Sequence, residues 1–308
     1  MVHCENISKN YGKVKALQDI SFDVSEGDIF GIIGPDGSGK TTLMRVLATL
    51  LLPDEGTARV IGFDVGKEYR KIRKGVGYMP ERFSLYLDLT VEENLKVFAS
   101  VFGTTIEENY HLIKDIYQQI EPFKTRRAGD LSGGMKQKLA LSCALIHKPK
   151  VLFLDEPTTG VDPVSRKEFW NMLGKLKQQG ITILVSTPYM DEAALCDRIA
   201  LIREGRFMKI DTPKNIIRQF RDTLWAVKSN AMSGLRHELR RHPLTKACYS
   251  FGDYYHLTID NENLAGKDHQ AEMEKLRAFL MEGGQTGVEV RQIEAGIEDC
   301  FMELAEQK

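Results

Sequence analysis

No apolar run in this 308-residue chain approaches the roughly 20 residues needed to cross a bilayer. The best candidate, LMRVLATLLL at 43–52, is too short and contains Arg45. A membrane role would need another chain to supply the span. MVHCENISKN at the start has no apolar core, so no secretory leader is expected. Cysteine is sparse: Cys4, Cys143, Cys196, Cys248 and Cys300 are scattered, with no CxxC or CxH spacing. That argues against a disulfide framework or a zinc site and for reduced thiols. Neither charge sign dominates. Lys and Arg number 42, Asp and Glu 43, and the net charge of −1 gives no global basic field. No nucleic-acid partner is expected. Internal repeats and low-complexity tracts are also missing.

What is present reads as a globular chain of one large domain and a small one, 42% hydrophobic and 28% charged. Short continuous apolar runs stand out: IFGII at 29–33, VLFL at 151–154 and ITILV at 181–185. Continuous rather than alternating patterning predicts strands covered on both faces, as in a parallel sheet. Helical patterns lie between them, at 42–51, 135–147 and 165–180, and strands alternating with helices predict an α/β core. From about 88 to 147 the pattern is dominated by helix, a helical subdomain, opened by a capping box of Thr90 with Glu93. Composition shifts near 211–222. The chain is therefore divided into 1–218 and 219–308, and the second part reads β-α-β-β-α-β, a small α+β domain of ferredoxin-like order.

The chemistry begins at GPDGSGKT, residues 34–41, which matches G-x-x-x-x-G-K-[ST] with a strand before it and a helix after it. Glycines let the backbone curl round a phosphate so that N–H groups point at its oxygens. The positive end of the following helix helps hold the anion. Gly34, Pro35, Asp36, Gly37, Ser38, Gly39, Lys40, Thr41 and Thr42 are the candidate nucleotide-binding residues, with Lys40 directed at the β- and γ-phosphates and the Thr41 hydroxyl at Mg²⁺. VLFLDEP at 151–157 complements the cradle. Its strand carries Asp155 to the carboxyl edge of the sheet, where ligands of open α/β sheets bind. Asp155 is expected to help hold Mg²⁺, and Glu156 to face the attacking water as the catalytic group.

LSGGMKQKLALSCALI at 131–146 adds a second anion-seeking helix start, at Ser132, Gly133 and Gly134. One nucleotide needs one cradle. A second phosphate-reading helix end suggests ATP sandwiched between two such domains, each offering this loop to the other's cradle.

Taken together, these motifs resemble an ABC-transporter ATPase subunit over residues 2–218. The cradle, LSGGMKQ, the DEP box and TTGVD at 158–162 fall in that family's order. The resemblance implies a P-loop NTPase fold, ATP and Mg²⁺ as cofactors, a second ATPase subunit, and a separate transmembrane permease. It implies a location at the inner face of the cell membrane. It also implies adenine stacking for Tyr11 and communication across the dimer for Asp162. IEAGIEDCFMELAE resembles the closing segment of ATPases that drive ABC-2 type exporters, and the whole pattern resembles the drug- and antibiotic-efflux branch of bacteria.

The pattern departs from that family at three positions. A histidine usually follows the strand at 181–185 and contacts the γ-phosphate; Pro188 holds that place, with no side-chain donor and no backbone N–H. Glu81 stands where a glutamine is usual, and its carboxylate is a further candidate Mg²⁺ ligand. Asp36 adds a negative charge where asparagine is common. Two readings compete: an exporter ATPase that hydrolyses slowly, or a nucleotide-switched or degenerate partner with little turnover. An intact Glu156 and an intact 131–137 loop favour the first. A ribosome- or DNA-directed ATPase is a third class, but it usually carries two such domains in one chain or a long coiled-coil insertion, and neither is seen.

Overall fold

The computed structural model describes every residue except Phe83, Gln307 and Lys308. The last helical pattern of the sequence, GIEDCFMELAEQ, therefore ends partly outside the described residues.

All five residues of IFGII are buried, and they form the central strand β3 (Ile29–Ile33) of a six-stranded sheet. Its order is β10-β9-β3-β8-β7-β6. The other strands are β6 (Val76–Met79), β7 (Val151–Asp155), β8 (Thr182–Thr187), β9 (Arg198–Arg203) and β10 (Arg206–Asp211). Pairing is parallel except between β9 and β10. A second sheet, ordered β2-β1-β4-β5, is antiparallel and comprises β1 (Val2–Tyr11), β2 (Val14–Val24), β4 (Glu55–Val60) and β5 (Phe63–Asp64). Phe22 of β2 stacks on Phe30 of β3 at 5.3 Å and meets Phe207 of β10 edge-on at 5.4 Å, so aromatic contact joins the two sheets.

Helix α1 (Lys40–Leu47) packs on β7 and β8. It ends earlier than the apolar pattern at 42–51 implies. Thr49 takes a left-handed φ of 60°, and the N–H groups of Leu50 and Leu51 both return to the Arg45 carbonyl, closing the helix. Next come α2 (Tyr69–Gly75), then α3 (Val91–Val101), α4 (Ile106–Tyr117) and α5 (Gly133–Leu145). Thr90 and Glu93 make the expected capping box, and Thr105 with Glu108 repeats it on α4. α6 (Pro163–Gln178) precedes β8.

The chain forms two compact units, Met1–Pro213 and Lys214–Lys308, rather than dividing at the 218/219 boundary read from composition. The physical reason is α7 (Pro213–Arg218), whose Ile216 is buried and accepts a hydrogen bond from the Cys300 thiol of the second unit. That unit holds β11 (Thr223–Lys228), α8 (Met232–Arg241), β12 (Thr245–Phe251), β13 (Tyr254–Ile259), a short α9 (Asn261–Leu264), α10 (His269–Glu282), β14 (Glu289–Ile293) and α11 (Ile297–Glu306). Its antiparallel sheet is ordered β12-β13-β11-β14, the strand order of a split βαβ unit, around a fully buried Trp225.

The five cysteines are free and buried, and burial pushes the Cys248 and Cys300 thiols up to about 11 and 12. Inert thiols of this kind serve as small core residues. Among the described residues no helix is long and apolar enough to cross a membrane.

Phe30→Ala removes one of the two rings that meet Phe22 across the sheets. We expect it to lower the unfolding free energy by about 3–5 kcal/mol, measured as a lower urea midpoint. A midpoint unchanged from the parent would mean that Phe30 does not bind the layers together.

Candidate functional site

Register decides what the sheet edge displays. Within the sheet Ile33 lies opposite Thr187, and Asp155 lies opposite Ser186, so β3, β7 and β8 end side by side. The loop after β3 emerges at that edge. Gly39, the residue before α1, has φ 107°, and a Cβ there would meet the Ala16 carbonyl oxygen at 2.4 Å. Gly34 is equally confined: a Cβ would lie 2.2 Å from the Ile202 carbonyl oxygen. Both positions require glycine to let the cradle close.

Lys40 folds back into this loop. Its Nζ donates to the carbonyls of Gly34 at 2.8 Å and Pro35 at 2.9 Å, and pairs with Glu156 Oε1 at 3.1 Å. The two side chains are only 3% and 9% exposed. Thr41 Oγ1 donates to Asp155 Oδ1 at 3.2 Å, and Ser186 Oγ donates to the same oxygen at 2.7 Å. Burial raises the Asp155 carboxyl above its ordinary range, against the lowering pull of those two hydroxyls. Glu156 sits at a left-handed φ of 49°, held there by its N–H, which donates to the Ser186 carbonyl and hydroxyl at 3.1 and 3.0 Å. Its Oε2 accepts from Thr159 Oγ1 at 3.2 Å.

A cavity of about 850 Å³ opens over these groups. Of the residues named from the sequence, Tyr11, Asp36, Gly37, Gly39, Lys40, Thr41, Thr42, Glu81, Glu156 and Pro188 line it. Gly34, Pro35, Ser38 and Asp155 lie behind that surface in the same loop and strand end. Tyr11 is half-exposed at the rim, where an aromatic face is open to a ligand. Among the described residues of the phosphate loop and β7, the buried oxygens Ser38 Oγ and Asp155 Oδ2 have no hydrogen-bond partner. Orphaned polar groups of this kind beside a glycine-rich loop fit an anion at the first and a hard cation at the second. No cluster of three or more metal-ligating side chains gathers among the described residues. A nucleotide-borne Mg²⁺ needs only one or two carboxylates besides phosphate oxygens, so this donor set fits it.

Ser132, Gly133 and Gly134 are not part of this cavity. Ser132 is exposed and caps α5, its hydroxyl accepting from the Met135 N–H at 3.4 Å. Gly134 lies against α6, where a Cβ would meet Ser165 Oγ at 2.9 Å. Asp162 is exposed as well and caps α6 by accepting from the N–H groups of Val164 and Ser165 at 3.1 and 3.0 Å.

Three site residues escaped sequence reasoning. Ser186 ties the Asp155 carboxylate to the Glu156 backbone; the signal was a serine closing an otherwise apolar strand. Thr159 bonds Glu156 three residues after it in the chain. Tyr189 lines the cavity beside Pro188, with the Arg166 guanidinium 4.8 Å above its ring.

Residues 17–159 match the family model described as ABC transporter. Nod factor export ATP-binding protein I of Burkholderia lata is 36% identical, covering 97% of this chain and 95% of that one. The probable multidrug ABC transporter ATP-binding protein YbhF of Escherichia coli (strain K12) is 38% identical over 70% of this chain, which spans only 38% of that relative's length. Among solved structures, an ATP binding subunit of an ABC transporter superposes with a TM-score of 0.65 at 28% identity, covering 71% of this chain and 93% of that one. The dimeric ATP-binding cassette MJ0796 bound to ADP and Pi gives 0.63 at 26% identity, over 69% and 98%.

Ser186→Ala leaves Asp155 Oδ1 with Thr41 as its remaining donor. We expect a loss of about 1–3 kcal/mol in unfolding free energy, read by urea denaturation. Parental stability would show that the serine bridge carries no structural weight.

Proposed function

The chain belongs to the ABC transporter family as one of its ATP-binding subunits, and from that premise we propose that it hydrolyses ATP to drive a separate membrane permease of an exporter. The observation that carries this reading is the convergence of Lys40, Thr41, Asp155 and Glu156 at one sheet edge beneath a single cavity. ATP enters with its adenine against Tyr11 and its phosphates in the 34–42 loop. Lys40 turns its ammonium from Glu156 to the β- and γ-phosphates. Thr41, Asp155 and, at the rim, Glu81 would hold Mg²⁺, which when bound neutralises phosphate charge. Glu156, released from Lys40, orients water and accepts its proton as the water oxygen bonds the γ-phosphorus and the bond to the β-phosphate oxygen breaks. ADP and phosphate leave.

The exposed start of α5 at Ser132 supports a two-subunit site. That loop is turned to solvent instead of to its own chain's cavity, so it is free to cap a nucleotide in a second copy or a related ATPase subunit. Asp162, next to it through α6, would sense that closure. Closure pulls on the permease, which holds the chain at the inner face of the membrane. Relatives named for multidrug transport, Nod factor export and linearmycin resistance support export of a small molecule.

Pro188 favours a second reading. It lines the cavity and offers no hydrogen-bond donor. A missing donor to the transition state typically costs on the order of 10²–10³ in rate, which brings a nucleotide-switched binding subunit into view. Glu156 and the Ser132 loop are intact, and they favour slow turnover.

Mg²⁺-dependent phosphate release from the full chain tests this. We expect Glu156→Gln to lower kcat at least 10²-fold and Pro188→His to raise it. Equal rates in parent and Glu156→Gln would reject Glu156 as the catalytic group. Tight ATP-dependent dimerisation with negligible phosphate release from the parent would favour the switch.

A further inference from the structure

The catalytic carboxylate proposed above changes neighbours when nucleotide binds, and one neighbour remains. Glu156 Oε1 is paired with Lys40 and Oε2 accepts from Thr159. Once Lys40 serves phosphate, the first contact is gone. Pro188, on the same cavity wall, supplies no donor in its place. Thr159 also lines that wall.

We propose that Thr159 is a positioning residue for Glu156, fixing its carboxylate for water activation through the Oγ1–Oε2 hydrogen bond. The inference rests on the reading of Glu156 as the group that accepts the proton of water.

The surrounding loop is built to hold this hydroxyl in place. Thr158 points inward, only 1% exposed, and donates to the buried Glu192 at 2.8 Å. The Thr159 N–H donates to the Glu156 carbonyl at 3.2 Å, closing a tight turn that brings the two side chains together. The chain then runs through Gly160 to Asp162, which caps α6. A shift of the 160–162 segment on closure would therefore reach the Glu156 carboxylate through the Thr159 hydroxyl. A donor to an ionised group contributes more than a neutral hydrogen bond, and one that acts in the transition state appears in kcat.

The test uses the full chain and MgATP. Thr159 is exposed, so Thr159→Val, nearly the same shape, should retain the parental urea midpoint. We expect it to lower kcat about tenfold or more with KM within about twofold of the parent. Thr159→Ser, which keeps the hydroxyl, should recover most of the rate. In a Glu156→Gln background, Thr159→Val should add no further loss to the residual rate, because the two residues act as one unit. A parental kcat for Thr159→Val beside an inactive Glu156→Gln would overturn the Thr159 assignment alone. The same holds if Thr159→Ser is as slow as Thr159→Val, or if the valine slows Glu156→Gln as much as it slows the parent. A fully active Glu156→Gln would overturn the reading of Glu156 and the inference with it.

Discussion

A lysine and a glutamate that are almost solvent-free, 3.1 Å apart at the end of a parallel sheet, are the contact on which the site turns. Taking two charges out of water is costly, and their attraction repays the cost only when the remaining donors and acceptors are satisfied. Here they are. Lys40 gives its other protons to the Gly34 and Pro35 carbonyls, and Glu156 takes Thr159 on its second oxygen. Well-packed apolar residues in place of a buried ion pair are often neutral or stabilising. On the function proposed above these charges have a reason: a triphosphate would replace the carboxylate on Lys40, and the replacement would free Glu156 for chemistry.

The sheet makes this exchange possible. Asp155 closes β7 with Glu156 just after it, Ser186 stands opposite Asp155 on β8, and the phosphate loop leaves β3 at the same edge. Three separate stretches, near residues 34–42, 155–159 and 186–189, meet because parallel strands end together. The anion-seeking start of α5 lies outside that meeting point, exposed on its own chain. A complete site on this account takes the edge from one subunit and the helix start from another, which ties turnover to assembly.

Much of this was legible in the chain. The 34–41 loop, the apolar strand ending in Asp155 and the helix start at Ser132 are local patterns whose spacing states where each element begins and ends. The β-α-β-β-α-β order of the second unit was legible for the same reason. The limits lay where distant residues meet. The Lys40–Glu156 pair spans 116 positions (156 − 40). The Ser186 bridge depends on strand register, which a single sequence leaves open. LMRVLATLLL stays apolar past Leu47, while backbone geometry at Thr49 stops the helix. α7 carries polar residues on its surface, and a buried isoleucine with a thiol contact ties it to the second unit.

Calorimetric affinity for a non-hydrolysable ATP analogue tests the exchange of anions at Lys40 without involving turnover. If Glu156 must be displaced before phosphate can be held, Glu156→Gln should bind the analogue about tenfold more tightly than the parent, near 1.4 kcal/mol. Equal or weaker binding by Glu156→Gln would mean that the buried pair does not compete with nucleotide, and would contradict the account.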